Sequence, residues 1–380
     1  MIIGSRRVWI SGGFVPAGIE MLEGKIRRVL SYDAAVDEDF GDSRIFPGFI
    51  DVHAHGCFGF DTNDANLEGL QKWARSLPAE GVTAFLPTTV TQDMKTLHAA
   101  LKNIDEAASK EYSGAEILGA HLEGPFISKK YKGAHVEQFI VKPDIALFQE
   151  LQKSSGGRIR LVTLAPEEDD DFALTRFCAE TGVMVSIGHS GATFEQAALS
   201  ASNGAVSMTH VYNAMSPYNH REPGLVGAAL YCNHLFGEII CDCIHVHPAA
   251  IANLFRAKGP DHVIAITDSL SAKGCAAGSF KIGQDTIEIY PDGSAHLPNG
   301  TLAGSTLRMN ESFRNLIVRA AVPMESAVNA CTINPARLLK LDSRKGRISS
   351  GYDADIVVLK DDYSVLATYC RGNPSFGGRG

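Results

Sequence analysis

The sequence predicts an α/β protein: a (β/α)8 TIM-like barrel with a small β-sandwich domain assembled from both chain ends. Three observations predict it. Eight apolar, β-branched runs alternate with helix-like stretches between about residues 45 and 270; six of the eight end in His, Glu or Asp; and both termini carry short strand-like runs divided by Gly-rich turns. Alternating strand and helix units make a parallel sheet, and eight of them close it into a barrel whose strand carboxyl ends collect functional groups.

In chain order, Arg7 to Ile10 and Lys25 to Leu30 read as strands of the terminal domain. The eight barrel runs then end at His55 (FIDVHAH), Pro87 (VTAFLP), Glu123 (ILGAHLE), Pro166 (IRLVTLAP), His189 (VMVSIGH), His210 (AVSMTH), Asp242 (GEIICD) and Asp268 (VIAITD). Between them, 66–80, 93–110 and 193–202 carry Ala, Leu, Lys and Glu at helical spacing. After the eighth run, Ser279 to Thr301 alternates around Pro291-Asp-Gly293, a hairpin signal placed to form a lid over the barrel mouth. From Lys345 onward strand character returns, above all in Ala354 to Leu359. Residues 1–46 and 345–380 are thus assigned to the small domain and 47–344 to the barrel.

A chain of 380 residues, 45% of them hydrophobic, can bury a large core. Its formal net charge of −8 opposes a nucleic-acid or anionic-membrane partner, yet leaves room for a small anionic ligand held by a few local cations. The eight cysteines form no CxxC pair and read as free thiols, and the N-terminal apolar run is too short for a signal or a membrane span, so a reducing cytoplasm is expected.

His53 and His55 are one residue apart on a strand, so their side chains leave the same face and can converge. Alone, such a pair is equally an ordinary hydrogen-bonding group. Glu123, His189 and His210 at the ends of runs three, five and six strengthen the case, because imidazole and carboxylate are the ligands Zn²⁺ or Fe²⁺ takes, with a position left open for catalysis. Asp268 ends an apolar strand, where it can be a helix cap or a proton shuttle; beside a metal cluster the shuttle is favoured.

The ordered motifs PGFIDVHAHG (47–56), GVTAFLPTTV (81–90), HLEGPFISKKYKGAH (121–135), GHSGAT (188–193), THVYNAM (209–215), HREPGLVG (220–227), IHVHP (244–248), ITDS (266–269) and GTLAGS (300–305) carry a resemblance. The chain resembles the N-acetylglucosamine-6-phosphate deacetylases of the amidohydrolase superfamily, from the first strand to about residue 360. The resemblance implies that Glu123, His189 and His210 hold the principal divalent metal, with His53, His55 and Asp268 available for a second. It makes Asp268 the acid/base and has His245 polarise the acetyl carbonyl. His135 would touch the sugar, Asn213 and Ala214 would offer backbone N–H groups to the phosphate, and Arg221 would reach the neighbouring subunit's site in a homodimer. Zinc or iron, one or two per subunit, is the implied cofactor, and a small amino-sugar phosphate the implied ligand.

One departure stands out: Cys243 occupies a position where the family usually has glycine, and packing is favoured over metal ligation for its thiol. Three rival readings remain. The first is the same reaction on the N-acetylgalactosamine epimer. The second is a cyclic amidase, which would need a lysine that run four lacks. The third is a catalytically silent sugar-phosphate-binding protein. His121, on the face of Glu123, is expected to orient that carboxylate. His98, His234, His262 and His296 read as ordinary residues, and His220 and His247 as weaker candidates.

Overall fold

The computed structural model describes residues 1–32, 36–282 and 285–378. Eight parallel strands follow one another around the barrel: Phe49–Ala54, Val82–Thr89, Ala120–Glu123, Ile159–Leu164, Met184–Ile187, Ala205–Met208, Phe236–Ile240 and Val263–Ile266, called strands one to eight below. Strands one and two are buried along their whole length, as parallel strands covered by helices must be. The ring closes at the carboxyl end. Asp268 donates its N–H to His53 O at 2.8 Å, and His55 donates to Ser269 O at 2.8 Å. Buried Asp51 reinforces the seam by accepting from Thr267 Oγ1 at 2.6 Å and from the backbone N–H groups of Thr267 and His53, each at 3.3 Å.

The expected helices begin where capping residues satisfy free N–H groups. Asn66, Asp93 and Thr193 cap Leu67–Ser76, Met94–Ser109 and Phe194–Ser202, the last with a reciprocal bond from Gln196. Three further helices, Met309–Val318, Met324–Cys331 and Ile333–Leu338, follow the eighth strand. Phe313 on the first of these packs 5.3 Å from both Phe46 and Phe49, joining strand one to the terminal sheet.

The two chain ends meet as the sequence suggests. Ile356–Leu359 runs antiparallel to Arg44–Pro47, within one eight-stranded sheet that also holds Ile2–Ile10, Gly13–Leu22, Lys25–Ser31, Val365–Cys370 and Asn373–Gly377. Ile3, Val8, Ile19, Ile45, Ile356, Val358 and Tyr369 form its own core. A buried ion network ties it to the barrel. Lys345 Nζ lies 2.5 Å from Asp355, 2.9 Å from Asp353 and 2.7 Å from Glu116, and Arg344 bridges Glu116 and Asp353.

The hairpin region forms a small sheet of Gly278–Ile282, Asp285–Ile289 and Ala295–His296, with the turn at Pro291–Gly293 joining the second and third of these strands. The segment that follows it, 301–304, reaches the barrel mouth. Among the described residues no helix is long and apolar enough to cross a membrane.

Candidate metal centre and active site

His189, His210 and Asp268 stand just past the ends of strands five, six and eight, with φ of +47°, +28° and +48°. Left-handed backbone is costly for residues with a Cβ, and such strain gathers where a scaffold holds side chains for function. Here it accompanies the turn of each side chain into the barrel mouth. Glu123, at the end of strand three, is their common partner. Its Oε1 lies 3.2 Å from Nε2 of both His189 and His210 and 3.3 Å from Nε2 of His53; its Oε2 lies 3.3 Å from His55 Nε2. Asp268 Oδ1 is 3.1 Å from His55 Nε2 and 3.7 Å from His53 Nε2.

Two triads therefore share one carboxylate: His53, His55 and Glu123, and Glu123, His189 and His210, the ligand atoms of each within 4.8 Å of one another. Their chemistry fits divalent cations. The Nε2 atoms of His189 and His210 face each other at 3.0 Å, and the buried Nε2 of His53 has no hydrogen-bond partner. The remote nitrogens of three histidines are anchored: His189 Nδ1 on Tyr131 O at 2.9 Å, His55 Nδ1 on Thr88 O at 3.2 Å, His53 Nδ1 on Glu238 Oε2 at 3.2 Å. Oxygen acceptors there place the proton on Nδ1 and leave Nε2 its lone pair, as metal-binding imidazoles require.

His135 has the opposite tautomer. Thr91 N–H donates to its Nδ1 at 3.2 Å, so Nε2 carries the proton, 3.4 Å from Glu123 Oε2. Burial, aided by His189, pushes its pKa down to about 4. It is a neutral donor rather than a ligand. Burial disfavours charge on Glu123 and Asp268 as well, but the surrounding histidines outweigh it, and both carboxyls lie well below the usual range.

The centre opens into a cavity of about 360 Å³, a size suited to a small molecule. Asp268, His245, His135, Asn213 and Ala214 all line it, with Lys130 and Leu302. His245 Nδ1 is 2.6 Å from Asp242 Oδ2, leaving Nε2 free. Burial opposes charge on His245, yet that hydrogen bond and the charges of Asp242 and Asp268 raise its pKa above the ordinary imidazole value.

Some expected roles are refined. The Asn213 N–H is committed to His210 O at 2.9 Å, whereas the Ala214 N–H has no acceptor among the described residues. Arg221 is exposed and outside the cavity lining of its own chain. His121 bonds Thr163 Oγ1 at 2.8 Å and packs 4.6 Å from the His53 ring, without a hydrogen bond to Glu123. Cys243 has φ +64°, which explains why glycine suits the position, and its half-buried thiol packs against the core outside both ligand groups. Sequence reasoning gave no role to Asp242, Glu238, Thr91 or Lys130. The available signals were Asp242 at the end of run seven and Glu238, a charge inside an otherwise apolar strand.

Residues 44–374 match the amidohydrolase family. The N-acetylglucosamine-6-phosphate deacetylase of Bacillus subtilis (strain 168) is 43% identical over 88% of this chain and 85% of its own length. The N-acetylgalactosamine-6-phosphate deacetylase of Escherichia coli O157:H7 is 35% identical over 86% of each. Among solved structures, a mutant N-acetyl-D-glucosamine-6-phosphate deacetylase from Mycobacterium smegmatis, in complex with N-acetyl-D-glucosamine-6-phosphate, superposes with a TM-score of 0.93 at 29% identity over 99% of both chains. The Thermotoga maritima N-acetylglucosamine-6-phosphate deacetylase gives 0.89 at 31% identity, covering 100% of both. With a shared carboxylate, converging histidines and a strand-eight aspartate at the mouth of a parallel barrel, and with these relatives along nearly its whole length, the chain belongs to the amidohydrolase family.

Proposed function

We propose that the chain hydrolyses N-acetyl-D-glucosamine 6-phosphate to D-glucosamine 6-phosphate and acetate. The observation that carries this is Asp268, held 3.1 Å from His55 beside a carboxylate common to two ligand triads, with His245 on the same cavity. A divalent metal, zinc or iron, held by Glu123, His189 and His210, with a second at His53, His55 and Asp268, would polarise the acetyl carbonyl and acidify the attacking water. Asp268 takes a proton from that water at its carboxylate. His245, fixed through Nδ1 by Asp242, presents Nε2–H to the developing oxyanion. Asp268 then passes its proton to the amine nitrogen as the C–N bond breaks. His135 Nε2–H touches the sugar, the Ala214 N–H and Asn213 meet the phosphate, and Arg221 of a second copy completes the charge. That makes a homodimer the working unit, and the eight free cysteines suit a reducing cytoplasm as its compartment.

Binding energy from the remote phosphate holds the amide in line for attack. The relatives include enzymes named for each epimer, so the galacto substrate is the second reading. Acetate release measured on both epimers, with metal content determined on the same sample, tests the proposal. Turnover favouring the gluco epimer and abolished by a chelator is expected. Faster turnover of the galacto epimer reverses the substrate assignment. Cleavage of a cyclic amide in its place supports a cyclic amidase, and full metal occupancy without turnover supports a silent binding protein.

A further inference from the structure

Glu238 is fully buried on strand seven and is used by none of the steps above. Its Oε2 holds His53 Nδ1 at 3.2 Å, while its Oε1 has no hydrogen-bond donor among the described residues. A buried carboxylate with one oxygen unsatisfied is costly unless a nearby positive charge offsets it. On the other side of the ring, His53 Nε2 lies 3.3 Å from Glu123 Oε1 and has no hydrogen-bond partner. Glu238, Glu123 and Asp268 thus set three buried carboxylates around His53 and His55. Nε2 of His53 and of His55 with the Glu123 carboxylate form a ligand group of their own, beside the one that Glu123 makes with His189 and His210.

We infer that Glu238 is the positioning residue that gives the strand-one site its metal affinity, and so sets the centre to two metals rather than one; this rests on the two-site reading above. Glu238 orients the His53 ring, fixes its Nδ1–H tautomer and makes Nε2 the more basic ligand. The five residues of this cluster, His53, His55, Glu123, Glu238 and Asp268, come from the region of strands one, three, seven and eight.

The test is metal titration of the full-length protein after chelator treatment, with Zn²⁺ or Co²⁺ as the probe and bound equivalents counted by elemental analysis. Wild type is expected to take two equivalents. In Glu238→Gln one equivalent should weaken by about 10- to 100-fold, the usual effect of losing such a supporting partner, while the other keeps its affinity. Glu238→Asp, with the charge kept but withdrawn by one methylene, should fall between. Two equally tight equivalents in Glu238→Gln overturn the inference and leave the two-site reading standing. A single equivalent in wild type overturns both. If Glu238→Gln does not fold, Glu238→Asp decides by the same comparison, and unchanged affinity for both equivalents overturns the role.

Discussion

At the scale of single residues, the site was legible wherever a chemically distinctive side chain ended an apolar run. His53, His55, Glu123, His189, His210 and Asp268 all show this pattern, and the fold brings them together around Glu123. What the pattern could not give is direction. The His135 tautomer depends on a backbone N–H from Thr91, 44 positions away, and the exposure of Arg221 depends on where its loop lies. Two predictions belong here. Asp268→Asn removes the proton carrier and should lower acetate release by about 10²–10⁴-fold, with the substrate dissociation constant and the principal metal retained; near-wild-type release would refute the shuttle. Asp242→Asn removes the hydrogen bond and charge that hold the His245 pKa up. The alkaline limb of the kcat/KM profile should therefore move to lower pH, measured at saturating metal. For stability the sign is the same: a raised imidazole pKa contributes below the unfolded value and loses that contribution as pH climbs through the folded one.

The strands themselves were readable from β-branched apolar runs, but their closure was not. Nothing local in FIDVHAH says that Asp51 faces Thr267 rather than solvent or a metal. The seam is made by a residue pair 216 positions apart, at 2.6 Å. Thr267→Val keeps the shape and deletes the hydroxyl, leaving a buried carboxylate oxygen without its best donor. A loss of about 1–3 kcal/mol is expected, read from the urea midpoint with metal saturating. Since Asp268 follows Thr267 directly, the same variant should lower kcat more than it raises KM. The terminal strands were visible as Gly-punctuated runs for the same physical reason as the barrel strands, and their partners were inferred from the fact that both ends carry them.

At the scale of the whole molecule, the barrel and terminal sheet are held together by the cluster of Lys345, Arg344, Glu116, Asp353 and Asp355. Lys345 is 1% exposed, so Lys345→Met leaves buried Asp355 without its cation and Arg344 alone between Glu116 and Asp353. A destabilisation of about 3–5 kcal/mol is expected, read as a lower denaturation midpoint and faster proteolysis of the terminal strands. Burial works against charge on Glu116 and Asp353, but the Lys345 and Arg344 partners win and lower both pKa values. Their contribution is present above the ordinary carboxylate range and is lost as pH falls through the folded values. Sequence showed none of this network, because Arg344 and Lys345 lie in a charged turn that reads as ordinary surface and Glu116 in a two-residue strand outside the eight apolar runs.

The antiparallel pairing of Arg44–Pro47 with Ile356–Leu359 also sets the order in which the chain can mature. The first partner leaves the ribosome roughly 300 residues before the second, a wait of about 15–60 s at roughly 5–20 residues per second. Throughout that interval the N-terminal strands present an open edge, able to recruit a wrong strand from a neighbouring nascent chain. Translation speed across the barrel thus governs how long that edge is exposed, and a slower message exposes it longer.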